Sequence, residues 1–153
     1  MSERRVNVRG IVFNENMILA QKYKDRDGNE SEYWGTPGGG LDPGESLQEG
    51  LHREMIEETG IAPKIGKLLF IQQFQMQRYD GSTREELEFF FHIENPEDYK
   101  TVDLASTSHG EHELTKTEFI DPRKEYLLPA FLTTVNIAEQ ISSDQPVIIS
   151  NNL

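Results

Sequence analysis

The chain contains no cysteine among its 153 residues, and this absence excludes several kinds of chemistry at once. Disulfide bonds, thiolate nucleophiles, zinc–thiolate sites and iron–sulfur clusters all require that side chain. Long hydrophobic runs are also missing, since no stretch approaches the ~18 apolar residues of a transmembrane helix. The first residues, Met1 to Arg5, lack the apolar run of a secretory signal peptide. We therefore expect a cytoplasmic protein that does not insert into a membrane.

Basic side chains are scarce relative to acidic ones. Fifteen Lys and Arg residues stand against 27 Asp and Glu residues, so the formal net charge is −12. Proteins that bind polymeric nucleic acid or anionic membranes without sequence specificity rely on clusters of Lys and Arg. The composition therefore argues against both kinds of partner. Hydrophobic residues make up 35% of the chain, but they are clustered and periodic, which predicts a folded domain rather than disorder.

Hydrophobic periodicity and turn residues predict a single domain over residues 1–153, in which the tail 142–153 has no definite place and is treated as peripheral. Strands are expected at 6–13, 17–21, 67–77, 87–93 and 115–120. Helices are expected at 46–59 and from Pro129 to about residue 141, and a polar, irregular loop at 94–115. Residues 37–40 are expected to form a turn that requires glycine. This order of elements predicts an α/β fold with a mixed β-sheet packed between helices.

The helix predicted at 46–59 is marked by its own termini. Ser46 and Glu49 match a capping box, in which each side chain accepts a hydrogen bond from the main-chain amide of the other residue. Gly60 stands where a left-handed C-cap is wanted. The apolar residues of this helix are spaced four apart and form one stripe, at Leu47, Leu51 and Met55.

Three acidic residues of the same helix share a different face. Glu54 precedes Glu57 and Glu58 by three and four positions, so all three carboxylates lie close together. They repel one another unless a positive charge lies among them, and Arg53 neutralises only part of their charge. Carboxylate oxygens are the ligands that hard cations such as Mg²⁺ and Mn²⁺ prefer. This face is therefore either a metal site or a solvated helix surface, and the helix alone does not decide between the two.

The spacing of the surrounding residues favours the metal site. From Gly39 the chain runs through five residues to Glu45, seven to Arg53-Glu54-Met55, one to Glu57-Glu58 and one to Gly60-Ile61. This arrangement resembles the Nudix box of the MutT-like Nudix hydrolase family, G-x5-E-x7-R-E-U-x-E-E-x-G-U with U apolar, at every specified position. The preceding run WGTPGGG is also similar to the family's approach to the box. The resemblance implies a Nudix-type α/β/α sandwich.

The resemblance also implies a function and the residues that perform it. Nudix hydrolases use Mg²⁺ or Mn²⁺ and water to cleave a nucleoside diphosphate linked to another moiety. By position, Glu54 and Glu58 would be the principal metal ligands, Glu57 would assist, and the Gly39 carbonyl would be a further ligand. Arg53 would orient the catalytic carboxylates, and one way to do so is to pair with Glu45. The alternative is a nucleotide-sensing Nudix domain that does not cleave its ligand, although such domains commonly lose box glutamates and this chain keeps all of them.

The general base is less well specified. In the family it lies either in the box or on a later loop, and the candidates are Glu54, Glu111, Glu113 and Glu118. We favour Glu113 as the base or as an extra metal ligand, because its neighbours are polar and its loop should reach the site. The alternative is that these loop acids are simply exposed. Two nearby histidines, His109 and His112, are expected to be surface residues.

The substrate is predicted only as a small nucleotide or nucleoside-diphosphate derivative. The glycines that would let the chain approach a phosphate closely are Gly38, Gly39 and Gly40. Tyr79 either stacks on a base or ends a strand before the Asp80-Gly81 turn. Trp34 and Phe74 either pack in the core or stack on a base, and we favour the core for both. Because family members often dimerise, a homodimer is among the expectations.

Overall fold

The computed structural model describes residues 3–151, which form two β-sheets and three α-helices. The strands are β1 Glu3–Ile11, β2 Phe13–Asn14, β3 Met17–Tyr23, β4 Gly38–Gly40, β5 Ile65–Gln77, β6 Thr83–Ile93, β7 Leu114–Ile120 and β8 Val147–Asn151. The helices are α1 Leu47–Thr59, α2 Gly110–Glu113 and α3 Ile137–Ser142. Short 3₁₀ segments cover Pro96–Tyr99, Leu104–Ser106 and Ala130–Thr133.

The larger sheet is mixed and has the strand order β4-β1-β6-β5-β8. Strand β1 runs parallel to β6, and β8 runs parallel to β5, whereas β4 is antiparallel to β1 and β6 is antiparallel to β5. The smaller sheet has the order β2-β3-β7 and is antiparallel. The mixed sheet confirms the predicted α/β fold class.

Helical segments cover both faces of the larger sheet. Helix α1 packs on one face through Leu51 and Met55, which have no exposed surface and contact Val8 of β1. The segment that contains Leu132 and Ile137 packs on the other face. Burying a side chain of this size stabilises the fold by about 1.5–3 kcal/mol. The apolar stripe of α1 therefore holds the helix, and the acids it carries, against β1 and the neighbouring β4.

The segment Pro37–Gly40 was predicted as a turn, and this prediction was wrong in part. Gly38–Gly40 forms strand β4, in which Gly39 pairs with Val8 of β1. Of these three glycines, Gly38 alone has a positive φ, of 136°. The main-chain groups are satisfied by pairing with a distant strand, which local glycine content does not reveal.

The helix predicted to run from Pro129 to about residue 141 is divided in two. A 3₁₀ segment covers Ala130–Thr133, and α3 begins only after Asn136. The Asn136 side chain accepts a hydrogen bond from the Glu139 amide at 3.0 Å. An asparagine that caps the helix following it in the chain starts a new helix, so it separates α3 from the preceding 3₁₀ segment.

The remaining segments depart from prediction in smaller ways. The predicted strands are present to within four residues at each end, and the loop at 94–115 contains two 3₁₀ turns and α2. The tail 142–153, for which the sequence predicted no secondary structure, supplies β8, which pairs with β5 at the edge of the larger sheet. Across residues 3–151, no helix combines the length and the apolar character that crossing a bilayer requires.

Candidate functional site

Helix α1 begins and ends at the residues that the sequence indicated. The Ser46 hydroxyl accepts a hydrogen bond from the Glu49 amide at 3.1 Å. Gly60 has φ 74° and its amide donates to the Ile56 carbonyl at 2.8 Å. The reciprocal bond of the capping box, from the Ser46 amide to the Glu49 carboxylate, does not form within the described chain. These caps place the acidic face of α1 beside β4.

The Arg53 guanidinium lies at the centre of this face. It donates to both oxygens of Glu45, at 2.7 and 2.9 Å, and to the Gly40 carbonyl at 3.1 Å. Its Nη1 donates to Glu54 at 3.0 Å and to Glu57 at 3.3 Å. The bonds from Arg53 lower the pKa of the Glu45 carboxyl to about 2. One planar guanidinium therefore fixes the positions of three carboxylates, a task that suits its rigid fork of donors.

Glu58 is the buried member of the acidic cluster. Its side chain is 5% exposed and accepts a hydrogen bond from the Gly38 amide at 3.4 Å. Burial raises its pKa to about 8, and the neighbouring Glu54 carboxylate adds to the rise. Burial also raises the pKa of Glu54. Both carboxylates would be stabilised in their charged form by a cation placed between them.

Strand β4 approaches the acids so closely that a side chain at its centre would displace a carboxylate. A Cβ atom at Gly39 would lie 2.7 Å from the carboxylate carbon of Glu54. The main chain of Gly39 thus lies directly against the Glu54 side chain. Sequence reasoning paired these residues through the box, and the structure brings them together through the β1–β4 pairing.

The donor set fits a hard divalent cation. The groups beside Gly39 are carboxylate and carbonyl oxygens, which are the ligands of Mg²⁺ and Mn²⁺. Within residues 3–151, no three His, Asp or Glu side chains are already arranged around a common point that could hold a metal ion. Instead, Arg53 binds Glu54 and Glu57, while Glu58 accepts from Gly38.

The loop before β7 reaches α1 through His109. Its amide donates to the Glu57 carbonyl at 3.0 Å, and its Nδ1 lies 3.5 Å from the Glu57 carboxylate. Glu113, the favoured base, is exposed on α2, one helical turn further along. The surface position expected for His109 is correct, since its side chain is 51% exposed, but its contact with Glu57 was not foreseen.

The three aromatic residues that the sequence singled out differ in their exposure to solvent. Tyr79 is fully exposed at the tip of the β5–β6 hairpin. Trp34 is 6% exposed and belongs to the core, as expected. Phe74 is half-buried and lines a cavity rather than packing in the core.

This cavity, of about 480 Å³, lies on the face of the larger sheet opposite α1. Thr36, just before β4, is part of its wall. Sequence reasoning missed its buried polar residues, because strand β6 was predicted only over 87–93, from its apolar residues. On the other side of β6 lie Glu86 and Glu88, which are 3% and 6% exposed. The available signal was the set of charged residues at three alternate positions, Arg84, Glu86 and Glu88, which otherwise indicates a solvent-facing side.

The fold and the site together define the Nudix class. The NUDIX domain profile matches residues 3–136, and the chain belongs to the Nudix family. It is 33% identical over 86 residues to the nucleoside triphosphatase NudI of Escherichia fergusonii, a match that covers 54% of this chain and 61% of that protein. The NudI protein of Salmonella arizonae is 30% identical over 86 residues, and this match also covers 54% of this chain and 61% of that protein. The match thus spans about three fifths of the length of these relatives.

Solved structures share the fold. The solution structure of the E. coli ORF135 protein has a TM-score of 0.67 at 21% identity and covers 94% of this chain and 95% of its own. An ADP-ribose pyrophosphatase from Streptococcus suis 89-1591 has a TM-score of 0.61 at 16% identity, and the match covers 96% of this chain and 98% of that protein. These similarities confirm the predicted architecture.

Proposed function

We propose that the protein is a Nudix pyrophosphohydrolase that requires Mg²⁺ or Mn²⁺ and cleaves a nucleoside diphosphate linked to another moiety. The observation that carries the proposal is the Arg53 guanidinium, bonded at once to Glu45, Glu54 and Glu57 beside the main chain of Gly39. A solvated helix face has no need of such an arrangement. The related protein of E. fergusonii is named a nucleoside triphosphatase, which supports a nucleotide substrate.

Four residues of the box would hold the metal. Glu54 and Glu58 are the proposed principal ligands, and Glu57 and the Gly39 carbonyl are the proposed additional ones. A bound divalent cation supplies positive charge that offsets the charge of a diphosphate, and it lowers the pKa of a bound water. The protein needs this charge, because its own formal charge of −12 repels an anionic substrate.

The side chains of the protein perform the other steps. Arg53 holds Glu54 and Glu57 in position, which avoids the loss of rate that follows from misplaced groups. Glu54 or Glu113 takes the proton from the attacking water. The main chain of Gly38 to Gly40 lies where a phosphate would approach, and Tyr79 remains a proposed contact of the substrate.

The nucleoside of the substrate would occupy the cavity beside Thr36, because the main chain leads directly from this residue to β4. The proposed ligand is a small nucleotide derivative rather than a polymeric nucleic acid. A cytoplasmic location and a homodimer are also proposals.

The test is a panel of nucleoside triphosphates, dinucleoside polyphosphates, nucleotide sugars and ADP-ribose, each assayed with Mg²⁺ or Mn²⁺ for release of phosphate or nucleotide. At least one compound should be cleaved. The Glu58→Gln variant should lose activity by several orders of magnitude, because it removes a charged ligand from the buried part of the site. Glu49→Gln is the matched control, since Glu49 is an exposed glutamate of the same helix.

Two outcomes would contradict the proposal. Tight nucleotide binding without turnover across the panel would indicate a sensor domain. Cleavage that Glu58→Gln leaves unchanged would show that the acids of α1 do not form the catalytic site.

A further inference from the structure

The cavity opposite α1 has a row of buried polar side chains on its sheet wall. Asn7 of β1 and Gln72 of β5 are both direct neighbours of Glu88 on β6, so the three residues form one line across the sheet. They are 4%, 5% and 6% exposed, respectively. Buried polar groups are costly unless a partner satisfies them, so this line requires an explanation.

Two amide oxygens in the row have no partner. Within residues 3–151, Asn7 Oδ1 and Gln72 Oε1 accept no hydrogen bond, although neither is in contact with solvent. The Asn7 amide is oriented by its other end, because Nδ2 donates to Glu86 at 2.9 Å. The reverse orientation would place an oxygen against a carboxylate. Both residues line the cavity. The bond to Glu86 fixes the Asn7 amide, whereas the terminal torsion of Gln72 is soft and lets its oxygen adjust to a ligand.

Two of the three arginines that line the cavity, Arg9 and Arg84, are already engaged. Arg9 donates to Glu88 at 3.0 Å and to the carbonyls of Thr36 and Gly38 at 3.3 and 3.2 Å. Arg84 donates twice to Glu86, at 3.0 and 2.6 Å. The third arginine, Arg5, lies beside Gly40. The row itself offers acceptors, so a ligand group that contacts the row must supply donors.

From these atoms we propose that the cavity selects nucleotides whose base carries an exocyclic amino group, through Asn7 Oδ1 and Gln72 Oε1. The inference rests on the proposed function, since it places the base of the substrate in the cavity beside Thr36. The volume of about 480 Å³ lies within the ~300–1,000 Å³ typical of small-molecule sites. Phe74 and Met76 supply apolar wall on the same side.

The same row disfavours a base with a keto oxygen in place of the amino group. An amino group brings N–H donors to these unsatisfied acceptors. A keto oxygen brings a further acceptor to Asn7 Oδ1, whose amide is held in place by the bond to Glu86. Sites built to hydrogen-bond a substrate group reject the analogue that lacks it by up to ~10⁴–10⁵-fold, because buried polar atoms are then left unpaired. The amino group is therefore the feature that this cavity is able to discriminate.

The test compares two pairs of nucleotides that differ at this group, CTP with UTP and ATP with ITP. For each pair that is hydrolysed, kcat/KM should favour the amino member by about 10²-fold or more. Binding of the α,β-methylene analogues of all four compounds is measured in parallel by calorimetry. This second measurement reports base preference even in the absence of turnover.

The outcomes separate this inference from the proposed function. Turnover with equal kcat/KM within each pair would overturn the inference and leave the hydrolase intact. An amino preference in binding without turnover would support the inference and count against the hydrolase. Absence of binding by all four analogues would overturn the inference.

A pair of variants tests the row itself. Gln72→Met keeps the length of the side chain but removes the acceptor, so the preference for the amino member should fall about tenfold. Its melting temperature should not fall, since an unsatisfied buried oxygen is removed. Gln75→Met, at an exposed position of the same strand, is the control and should leave the preference unchanged. An unchanged preference in Gln72→Met would overturn the role of this residue.

Discussion

Substitution of Gly39 by alanine tests how closely β4 approaches the acids of α1. A Cβ atom at this position would lie 2.7 Å from the carboxylate carbon of Glu54 and 2.7 and 2.8 Å from its oxygens. Ordinary contact begins at 3.4 Å, so the carboxylate must move by about 0.7 Å. The backbone at Gly39 does not have a positive φ, so alanine adopts it without strain. A misplacement of ~1 Å in a catalytic site costs about 10²-fold in rate. We therefore expect Gly39→Ala to lower turnover by about 10- to 100-fold.

The assay for Gly39→Ala is turnover of the best-cleaved nucleotide of the panel, combined with thermal unfolding followed by circular dichroism. The melting temperature should stay close to that of the wild type, because the substitution displaces a side chain rather than the strand. Gly66→Ala is the matched control: its Cβ would lie 2.9 Å from the Cγ of Glu94, an exposed glutamate outside the proposed site. Full activity in Gly39→Ala, or an equal loss in Gly66→Ala, would refute the close approach of Gly39 to Glu54.

Two further predictions concern stability. A Cβ at Gly10 would lie 2.7 Å from the Met55 sulfur, so Gly10→Ala should destabilise the fold by about 1–3 kcal/mol and Met55→Ala by about 2–5 kcal/mol. The double variant should be less destabilised than the sum by about 1 kcal/mol or more in urea unfolding; additivity would contradict this packing. The Glu45 carboxyl should titrate by NMR with a pKa of about 2. Its contribution to stability is then complete above its ordinary pKa of 4.5 and is lost as the pH falls through about 2, whereas titration near 4.5 would exclude the bonds from Arg53.

Elements whose signals are local could be predicted from the sequence. Helix α1 was predicted to within a residue at each end, because Ser46 and Gly60 cap it by contacts within one turn. The helix after Pro129 was predicted as one element, although Asn136 caps a separate helix. Strand β4 was taken as a turn, because its pairing with β1 joins residues about thirty positions apart and leaves no trace in Gly38–Gly40 themselves.

The acidic face of the site follows from helical spacing, but its internal bonds do not. Glu54, Glu57 and Glu58 share one face of any helix with this sequence. Whether Arg53 reaches Glu45 depends on the path of the chain between β4 and α1. The burial of Glu58 depends likewise on the loop and strands that cover the end of α1.

The sequence by itself determined the fold class, the extent of α1 and the family that its box implies. These depend on spacing along the chain, which is the same in any tertiary context. Only the tertiary structure decided which residues line the cavity beside Thr36. Charged residues at alternate positions of a strand, such as Glu86 and Glu88, are expected to face solvent. Here both are buried, because the chain after Leu128 covers that face of the sheet. Side-chain alternation defines the two faces of a strand, but only the packing of distant segments determines which face is covered.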